Sequence, residues 1–280
     1  MSTVSAQGSL SPSDFQFLTS LIQNKSAIVL ESSKGYLIES RLLPIVSEMG
    51  LGSLTELVGR LRQPAARDDT QRVIEAMTTN ETSFFRDLLP FQALQSHIIP
   101  ELIAKRSKDR QLTIWSNACS SGQEVYSIAM LLLDHFPELK NWKIKLIASD
   151  LSSQILQKAK QGLFNQTEVN RGLPMPMLLK YFVREGTVWK IKDEVRNMVE
   201  FREINLIESW PPALNKIDVV FLRNVLIYFS PETKAEILAK VRNVVRDDGY
   251  LFLGGVETTM NLNVRFERQA IGKAAVYRPN

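Results

Sequence analysis

Apolar side chains in the first ninety residues recur at the spacing of short helices joined by loops. Two similar polar segments, SPSD and SLTE, stand directly before apolar runs of this kind, so Ser11 and Ser53 are predicted N-caps. Two further helices are predicted, one within KGYLIESRLLPIVSEMG and one from about residue 69 to 79. The pattern therefore predicts a small all-helical domain over residues 1 to 90.

From about Ile114 the pattern changes to short apolar runs, rich in β-branched residues, that alternate with longer helical segments. This alternation is typical of a parallel sheet with helices on its faces. The predicted strands are 112–117, 144–149, 199–204, 217–222 and 249–254, with KAAVYR as a final edge strand, and the predicted helices are 122–135, 152–160 and 231–245. Residues 91 to 280 are thus expected to form an α/β domain, with an antiparallel β-subdomain inserted at about residues 173 to 203.

The composition is that of an ordinary globular protein, with 44% hydrophobic and 23% charged residues. The segment MSTVSAQGSLSPSDF lacks the pattern of a secretion signal, and no window resembles a membrane span, so membrane insertion is not expected. A single cysteine, Cys119, fits a reducing compartment and predicts a cytoplasmic location. The net charge of +4 is spread diffusely and no aromatic residues alternate with a basic stripe, so nucleic acid is not an expected partner.

Polar residues follow four of the predicted strands at the point where each ends. They are Gly122 and Glu124 in NACSSGQE, Asp150, Asn205 in REINL, and Arg223 with Asn224 in FLRNVLIYF. Taken singly, each is more often a strand terminus or helix cap than a ligand contact. The carboxyl ends of parallel strands meet at one edge of a sheet, however, and ligands bind there. The occurrence of these polar residues at successive strand ends therefore predicts a ligand site.

The class of ligand follows from the turn after the first strand. A dinucleotide site needs several glycines close to the pyrophosphate, whereas Gly122 is the only glycine here and Glu124 would repel phosphate. NAD and ATP are therefore disfavoured. Asp150 can accept hydrogen bonds from both hydroxyls of a ribose. A nucleoside that carries a positive charge instead of phosphates is S-adenosylmethionine, so the pattern predicts a methyltransferase.

The residue inventory favours a carboxylate as the methyl acceptor. Both histidines, His97 and His135, lie in helical patterns, and RNVLIYF stands where some methyltransferases carry an N-P-P-Y motif for nitrogen acceptors. A carboxylate needs no general base, because a group with an ordinary pKa of about 4.3 is already ionised at pH 7. Arg86 is a candidate to grip this carboxylate and Tyr228 to donate a hydrogen bond to it, and no metal is expected.

The segment TTNETSFFRD combines polar side chains suited to hold a ligand with two adjacent phenylalanines, Phe84 and Phe85. By itself the segment has a simpler interpretation, a helix end capped by Asn80 and held by an aromatic staple. The pattern of this segment alone leaves both interpretations open.

Five motifs together resemble the chemotaxis receptor glutamate methyltransferases of bacteria, the CheR family. The motifs are NETSFFRD, WSNACSSGQEVYSIAM, IASDLS, EFREINL and RNVLIYF, and the likeness extends from about residue 12 to 278. The resemblance implies a helical N-terminal domain and a Rossmann-like class I methyltransferase domain that carries a β-subdomain. It also implies methyl esterification of glutamates on the cytoplasmic methylation helices of chemoreceptors, with S-adenosylmethionine consumed and S-adenosylhomocysteine released.

The same resemblance assigns roles to individual residues. It implies that Asn80, Thr82 and Arg86 close over the cofactor while Phe84 and Phe85 anchor their segment in the core. Glu124 and Asp150 would hold the amino and ribose portions of the cofactor. The residues implied around the remainder of the cofactor are Asn205, Leu206, Arg223 and Asn224, and Arg86 and Tyr228 would face the substrate carboxylate.

The sequence departs from the family pattern in three places. GQEVY replaces G-E-E-P-Y, and GGVET stands where the family has G-H-S-E. The β-subdomain turn reads REGTVWKIKDE, without the glycine-rich loop that captures a receptor's C-terminal peptide in some members, so this tether is expected to be missing. Substrate contact is then expected from the helical domain, with Arg60, Arg62, Arg67 and Arg72 as candidate residues. Asp68 and Asp69 dilute this basic patch, so an ordinary solvated surface is an equally good interpretation.

Two other functions remain open on the sequence. One is a methyltransferase that uses the same cofactor on another protein or on a small-molecule nucleophile. The other is a non-catalytic module that binds S-adenosylmethionine as a sensor, although the presence of both Arg86 and Tyr228 favours an enzyme.

Overall fold

A computed structural model describes residues 10 to 280, which divide into two compact units. The helical unit runs to Thr79 and includes Tyr228–Ser230, and the α/β unit comprises Asn80–Ile227 and Pro231–Asn280. Among the described residues, no helix is both long and apolar enough to cross a membrane.

Within residues 10 to 79, the helical unit contains four α-helices that pack around a shared apolar core. They are α1 (Pro12–Ser26), α2 (Gly35–Glu48), α3 (Leu54–Leu61) and α4 (Arg67–Met77), with a short 3₁₀ turn at Ser32–Lys34. The hydroxyl oxygen of Ser11 accepts from the backbone N–H of Asp14 at 3.1 Å, and that of Ser53 accepts from Glu56 at 3.2 Å. Both N-caps are therefore confirmed.

The helices of the α/β unit alternate with its strands, as the sequence pattern predicts. Its helices are α5 (Leu89–Ala93), α6 (Ile99–Lys105), α7 (Gln123–His135), α8 (Ser153–Gln161), α9 (Gln166–Asn170), α10 (Met175–Tyr181), α11 (Asp193–Arg196) and α12 (Pro231–Val244). A π-helical turn, Leu94–Ile98, joins α5 to α6, and 3₁₀ helices lie at Pro137–Asn141 and Leu226–Tyr228.

The main sheet has seven strands in the order β6-β2-β1-β7-β8-β10-β9. Their bounds are β1 (Gln111–Asn117), β2 (Lys143–Asp150), β6 (Val199–Glu203), β7 (Ile217–Leu222), β8 (Val245–Leu253), β9 (Phe266–Ile271) and β10 (Ala274–Pro279). The first five strands of that order are parallel, and β10 is antiparallel to both of its neighbours. Strand order reverses between β1 and β7, so a ligand is expected at the carboxyl ends of these strands.

The β-subdomain is a separate sheet of three short antiparallel strands in the order β3-β5-β4. They are β3 (Leu163–Asn165), β4 (Phe182–Glu185) and β5 (Val188–Ile191). The sheet begins ten residues earlier than the range 173 to 203 suggests, because β3 has too few residues to show a strand pattern. At the other end of that range, β6 pairs with β2 and so belongs to the main sheet.

The prediction that KAAVYR forms the edge strand is wrong. This segment is β10, which lies inside β9, and β9 is the strand at the sheet's edge. Only Phe266 is buried in β9, and the four residues that follow it are exposed. A strand of that pattern lacks the alternating apolar positions that would identify it in the sequence.

Candidate active site

The turn from β1 to α7 forms the floor of the site. Ala118, Ser120 and Gly122 all have positive φ, at 47°, 51° and 91°, so the backbone winds tightly between the strand and the helix. A Cβ at Gly122 would lie 3.0 Å from the Tyr126 ring, and this position therefore requires glycine for both space and conformation. The Ser120 amide donates to an Asp150 carboxylate oxygen at 2.9 Å, which joins the turn to the end of β2.

Asp150 is buried at the carboxyl end of β2, and the backbone fixes the orientation of its carboxylate. One oxygen accepts from the Ser120 amide at 2.9 Å and the other from the Ser152 amide at 3.1 Å. A carboxylate oxygen can accept more than one hydrogen bond. The geometry thus suits the pair of hydroxyls on a ribose.

Glu124, in the first turn of α7, forms a buried ion pair with Arg223 that spans 99 positions of the sequence. Its Oε2 accepts from Arg223 Nη1 at 2.8 Å, and its Oε1 accepts from the Ser116 hydroxyl at 2.8 Å. The Arg223 side chain is only 1% exposed. A cationic ligand group at Glu124 would therefore share a carboxylate that is already oriented by two protein donors.

Arg223 also holds the segment that contains Arg86. Its Nη2 donates to the Arg86 carbonyl oxygen at 3.0 Å and to an Asp87 carboxylate oxygen at 2.9 Å. The same guanidinium thereby joins the start of α7, the end of β7 and residues 86 and 87.

The aromatic pair of this segment is buried, which confirms the prediction that it acts as an anchor. Phe84 is 0% exposed and lies edge-on to Phe164 and Phe182, with ring centroids at 5.0 and 5.8 Å. Phe85 packs against Phe91 at 5.2 Å. A Cβ at Gly172 would overlap the Phe84 carbonyl oxygen, so the β-subdomain approaches this backbone as closely as glycine allows.

The alternative interpretation, in which Asn80 caps a helix, does not hold. Helix α4 ends at Met77 with Thr78 as its C-cap, and Asn80 lies beyond it in the α/β unit. The Asn80 carbonyl oxygen accepts from the Ser120 hydroxyl at 2.8 Å, so the segment crosses the turn after β1. Thr82 and Arg86 follow as half-buried residues, and Arg86 Nη1 donates to the Glu81 carbonyl oxygen at 3.1 Å.

The remaining candidates follow the other strands. The Asn205 side chain accepts from the Ile207 amide at 3.2 Å, and the Leu206 carbonyl accepts from Lys240 at 2.6 Å, so both are held just after β6. Asn224 follows β7 with a φ of 58°. Tyr228 ends the 3₁₀ helix and belongs to the helical unit, where its carbonyl accepts from the Val29 amide at 3.0 Å.

Direct contacts thus connect the candidates in two groups. One group joins Asp150 through Ser120 to Asn80, and the other joins Glu124 through Arg223 to Arg86. The sequence analysis missed Ser116, Ser120 and Asp87, which orient these groups, and Glu257, whose carboxylate accepts from the Asn224 amide. Ser116 and Ser120 lie within the motif WSNACSSGQEVYSIAM, and Asp87 is the last residue of NETSFFRD. Their positions within these motifs could therefore have identified all three residues from the sequence.

The charges of the α/β unit's site favour a cation. Asp87, Glu124 and Asp150 contribute three carboxylates against the two guanidinium groups of Arg86 and Arg223. Burial raises the pKa of the Cys119 thiol, and the charges of Asp150 and Glu124 raise it further. Among residues 10 to 280, no group of three histidine, cysteine or carboxylate side chains is arranged to hold a metal ion. The donor set fits a cationic nucleoside better than a phosphate.

Two family descriptions match the chain. "CheR methyltransferase, all-alpha domain" matches residues 13–78, and "CheR methyltransferase, SAM binding domain" matches residues 80–274. The chain is 40% identical over 270 residues to chemotaxis protein methyltransferase 1 of Pseudomonas aeruginosa, covering 95% of this chain and 97% of that protein. It is 37% identical over 270 residues to chemotaxis protein methyltransferase Cher2 of Pseudomonas putida, with coverage of 95% and 97%.

A chemotaxis protein methyltransferase of Vibrio parahaemolyticus is 36% identical over 273 residues, covering 96% of this chain and 98% of that protein. Among solved structures, a TehB-like SAM-dependent methyltransferase from Corynebacterium glutamicum matches with a TM-score of 0.38 and 11% identity, covering 68% of this chain and 100% of that one.

Proposed function

The chain belongs to the CheR methyltransferase family, and from that membership we propose that it esterifies glutamate side chains on the cytoplasmic methylation helices of chemoreceptors. The family match confirms the resemblance in the sequence motifs and identifies an S-adenosylmethionine-dependent methyltransferase of chemotaxis. Family membership alone does not specify the methyl acceptor or the compartment. We propose that the acceptors are receptor glutamates and that the reaction takes place in the cytoplasm.

The observation that carries the proposal is the pair of oriented carboxylates at the switch point of the sheet. Asp150, held by two backbone amides, accepts hydrogen bonds from the ribose hydroxyls. Glu124, held by Ser116 and Arg223, accepts from the amino group of the methionine portion. The residues proposed to complete the binding site are Asn80, Thr82, Arg86, Asn205, Leu206, Arg223 and Asn224.

When bound, the cofactor would supply an electrophilic methyl group to the glutamate oxygen, and its sulfur would keep the electron pair of the bond that breaks. The attacking carboxylate is already ionised and needs no base. Its alignment with the methyl group is therefore the main task of the protein, and orientation supplies up to about 7 to 11 kcal/mol.

Arg86 and Tyr228 are the proposed carboxylate ligands. The Arg86 guanidinium donates to the Glu81 carbonyl at 3.1 Å, a neutral acceptor that a carboxylate can replace with a stronger, charge-assisted bond. Tyr228 is assigned through the family motif RNVLIYF, and its hydroxyl would donate the second hydrogen bond. Both residues would donate hydrogen bonds to the attacking carboxylate, which is already ionised.

The geometry of the β-subdomain supports the absence of a receptor-tail tether. Glu185 pairs with Val188, so β4 and β5 are joined by only two residues, Gly186 and Thr187. The Arg184 side chain donates to the Gly186 carbonyl at 3.2 Å and so packs against the turn. A loop that folds over a bound peptide needs more residues than this turn provides.

The helical unit is the proposed contact for the glutamate-rich methylation helices. Arg60 forms an ion pair with Asp69 at 2.8 Å and Arg62 with Asp14 at 3.1 Å. About half of each arginine side chain is exposed, and pairs of this kind contribute at most about 1 kcal/mol. Both guanidinium groups can therefore exchange these partners for glutamates of a receptor.

A radiolabelled methyl assay tests the function. The protein is incubated with labelled S-adenosylmethionine and membranes from its own source, and base-labile label is expected on a receptor-sized band. Receptors whose methylation-site glutamates are replaced with glutamine serve as the control and should stay unlabelled. Base-stable label, or equal label on the glutamine receptors, would indicate a different acceptor.

The mode of substrate contact has its own test. Arg60→Glu combined with Arg62→Glu should reduce receptor methylation and leave S-adenosylhomocysteine affinity unchanged, because both residues belong to the helical unit. A free peptide that copies a receptor C-terminus should show no measurable binding in calorimetry. Micromolar peptide binding, or full methylation by the double variant, would contradict the proposed contact.

A further inference from the structure

Glu257 lies in the segment GGVET, after β8, and its carboxylate is surrounded by backbone N–H groups. Oε1 accepts from Val225 at 2.9 Å and from Leu226 at 2.7 Å. Oε2 accepts from Asn224 at 2.8 Å and from Gly254 at 2.6 Å. Four donors thus converge on one carboxylate, which matches the number of hydrogen bonds that a carboxylate can accept.

Three of these donors are consecutive residues that directly follow β7. Consecutive backbone N–H groups that point to one side form a concave anion-binding arrangement, which here encloses a side chain of the same chain. The arrangement requires the left-handed conformation of Asn224, whose φ is 58°. Asparagine is one of the few residue types besides glycine that adopts this conformation readily.

The position of Glu257 is itself fixed from several directions. Its own amide donates to the Gly254 carbonyl at 2.9 Å, which closes a turn. A Cβ at Gly254 would lie 2.6 Å from Glu257 Oε2 and 2.9 Å from the Asn224 amide nitrogen, so the contact requires glycine there. Glu257 is also only 9% exposed, and water therefore has little access to replace it.

The segment that Glu257 holds connects two residues with proposed roles in methyl transfer. Asn224 is a proposed cofactor ligand and is bonded directly through its amide. Leu226, the last donor, begins the 3₁₀ helix that ends at Tyr228, the proposed donor to the substrate carboxylate. A change in the 224–226 backbone would therefore displace both residues.

We propose that Glu257 is a positioning residue for methyl transfer, whose carboxylate fixes the backbone of residues 224 to 226 and so orients Asn224 and Tyr228. This inference rests on the proposed function. Glu257 touches neither reactant and acts through the backbone alone, so its charge matters only as an acceptor for the four N–H groups.

The test compares Glu257→Gln with a matched control, Glu267→Gln, which makes the same charge change at an exposed position of β9. Glutamine offers one acceptor oxygen and presents an NH₂ group to the remaining N–H donors. The measurements are hydrogen exchange at residues 224–226, calorimetric affinity for S-adenosylhomocysteine, and kcat and KM for the receptor. Glu257→Asp, which keeps the charge on a shorter side chain, is measured alongside.

In Glu257→Gln, we expect exchange at 224–226 to accelerate, and S-adenosylhomocysteine affinity and kcat each to fall by about tenfold or more. The receptor KM should change less than kcat, because the proposed receptor contact through Arg60 and Arg62 is unchanged. Glu257→Asp should recover part of both losses, and Glu267→Gln should match the parent.

Three results would overturn the inference. Unchanged exchange at 224–226 would show that the carboxylate does not hold this backbone. Normal affinity and kcat despite faster exchange at 224–226 would show that cofactor binding and methyl transfer do not need an ordered backbone there. Failure of both Glu257 variants to fold, or an even rise in exchange across β7 and β8, would make the role purely structural. If the parent does not methylate receptors, the proposed function fails, while exchange and affinity still decide the role of Glu257.

Discussion

Replacing Arg223 with methionine is expected to destabilise the α/β unit substantially, because the change leaves a partly buried carboxylate without its cation. The Arg223 side chain is 1% exposed and that of Glu124 is 13% exposed. Removing one partner of a buried pair costs about 3 to 5 kcal/mol. The Ser116 hydroxyl still donates to Glu124, which favours the lower end of that range. The bond to Asp87 adds less than about 1 kcal/mol, since the Asp87 side chain is 53% exposed.

Urea unfolding followed by tryptophan fluorescence measures this loss. The four tryptophans, Trp115, Trp142, Trp189 and Trp210, all belong to the α/β unit, so the signal reports on that unit alone. With a slope of about 1 to 3 kcal/mol per molar urea, a loss of about 3 kcal/mol lowers the midpoint by about 1 to 3 M.

Two further variants distinguish the cost of leaving the Glu124 carboxylate unpaired from the cost of losing the packing of the Arg223 side chain. Arg223→Met combined with Glu124→Gln removes both charges, and its midpoint should lie between those of the parent and the single variant. Arg242→Met is the control, because Arg242 pairs with Asp247, whose side chain is 92% exposed, and should cost less than about 1 kcal/mol. Equal midpoints for Arg223→Met and Arg242→Met would refute the assignment of a buried, stabilising pair.

Three substitutions and one labelling experiment test the site further. Asp150→Ala should weaken S-adenosylhomocysteine binding about tenfold or more with the fold retained, and a calorimetric affinity within about twofold of the parent would contradict its ribose role. Tyr228→Phe should lower the methylation rate far more than cofactor affinity, whereas equal losses would assign Tyr228 to the cofactor or the core. Gly172→Ala should displace the Phe84 backbone and so reduce cofactor affinity; parental affinity would show that the segment adapts. Cys119 should react with iodoacetamide at pH 8 only after unfolding, because burial and neighbouring carboxylates raise its pKa, and rapid labelling of the native protein would contradict that environment.

The features that could be predicted from the sequence are those set by neighbouring residues. The N-caps at Ser11 and Ser53 depend on donors three positions away, so a short segment contains the whole interaction. The strand ends could also be located, because each lies where an apolar run stops. Asp150 is one such residue, and it lies at the carboxyl end of β2.

The features that could not be predicted depend on contacts between distant parts of the chain. The Arg223–Glu124 pair spans 99 positions, and Glu257 reaches back 31 to 33 positions to its three consecutive donors. No local pattern specifies which carboxylate meets which donor. GGVET therefore appeared only as a departure from the family motif, although its glutamate is the residue that makes the contacts.

The two sides of the β-subdomain differ in how freely they can change. One side is constrained, because Gly172 fits against the Phe84 backbone and Arg171 pairs with Glu81 at 2.9 Å. The other side is the two-residue turn that follows Glu185 of the edge strand β4, three residues beyond Phe182, which packs against Phe84. A longer turn grafted between residues 184 and 190 would then lengthen the hairpin without altering the side that faces residues 81 to 84. If the protein acts as proposed, a docking loop grafted at this hairpin is expected to change receptor capture without changing methyl transfer.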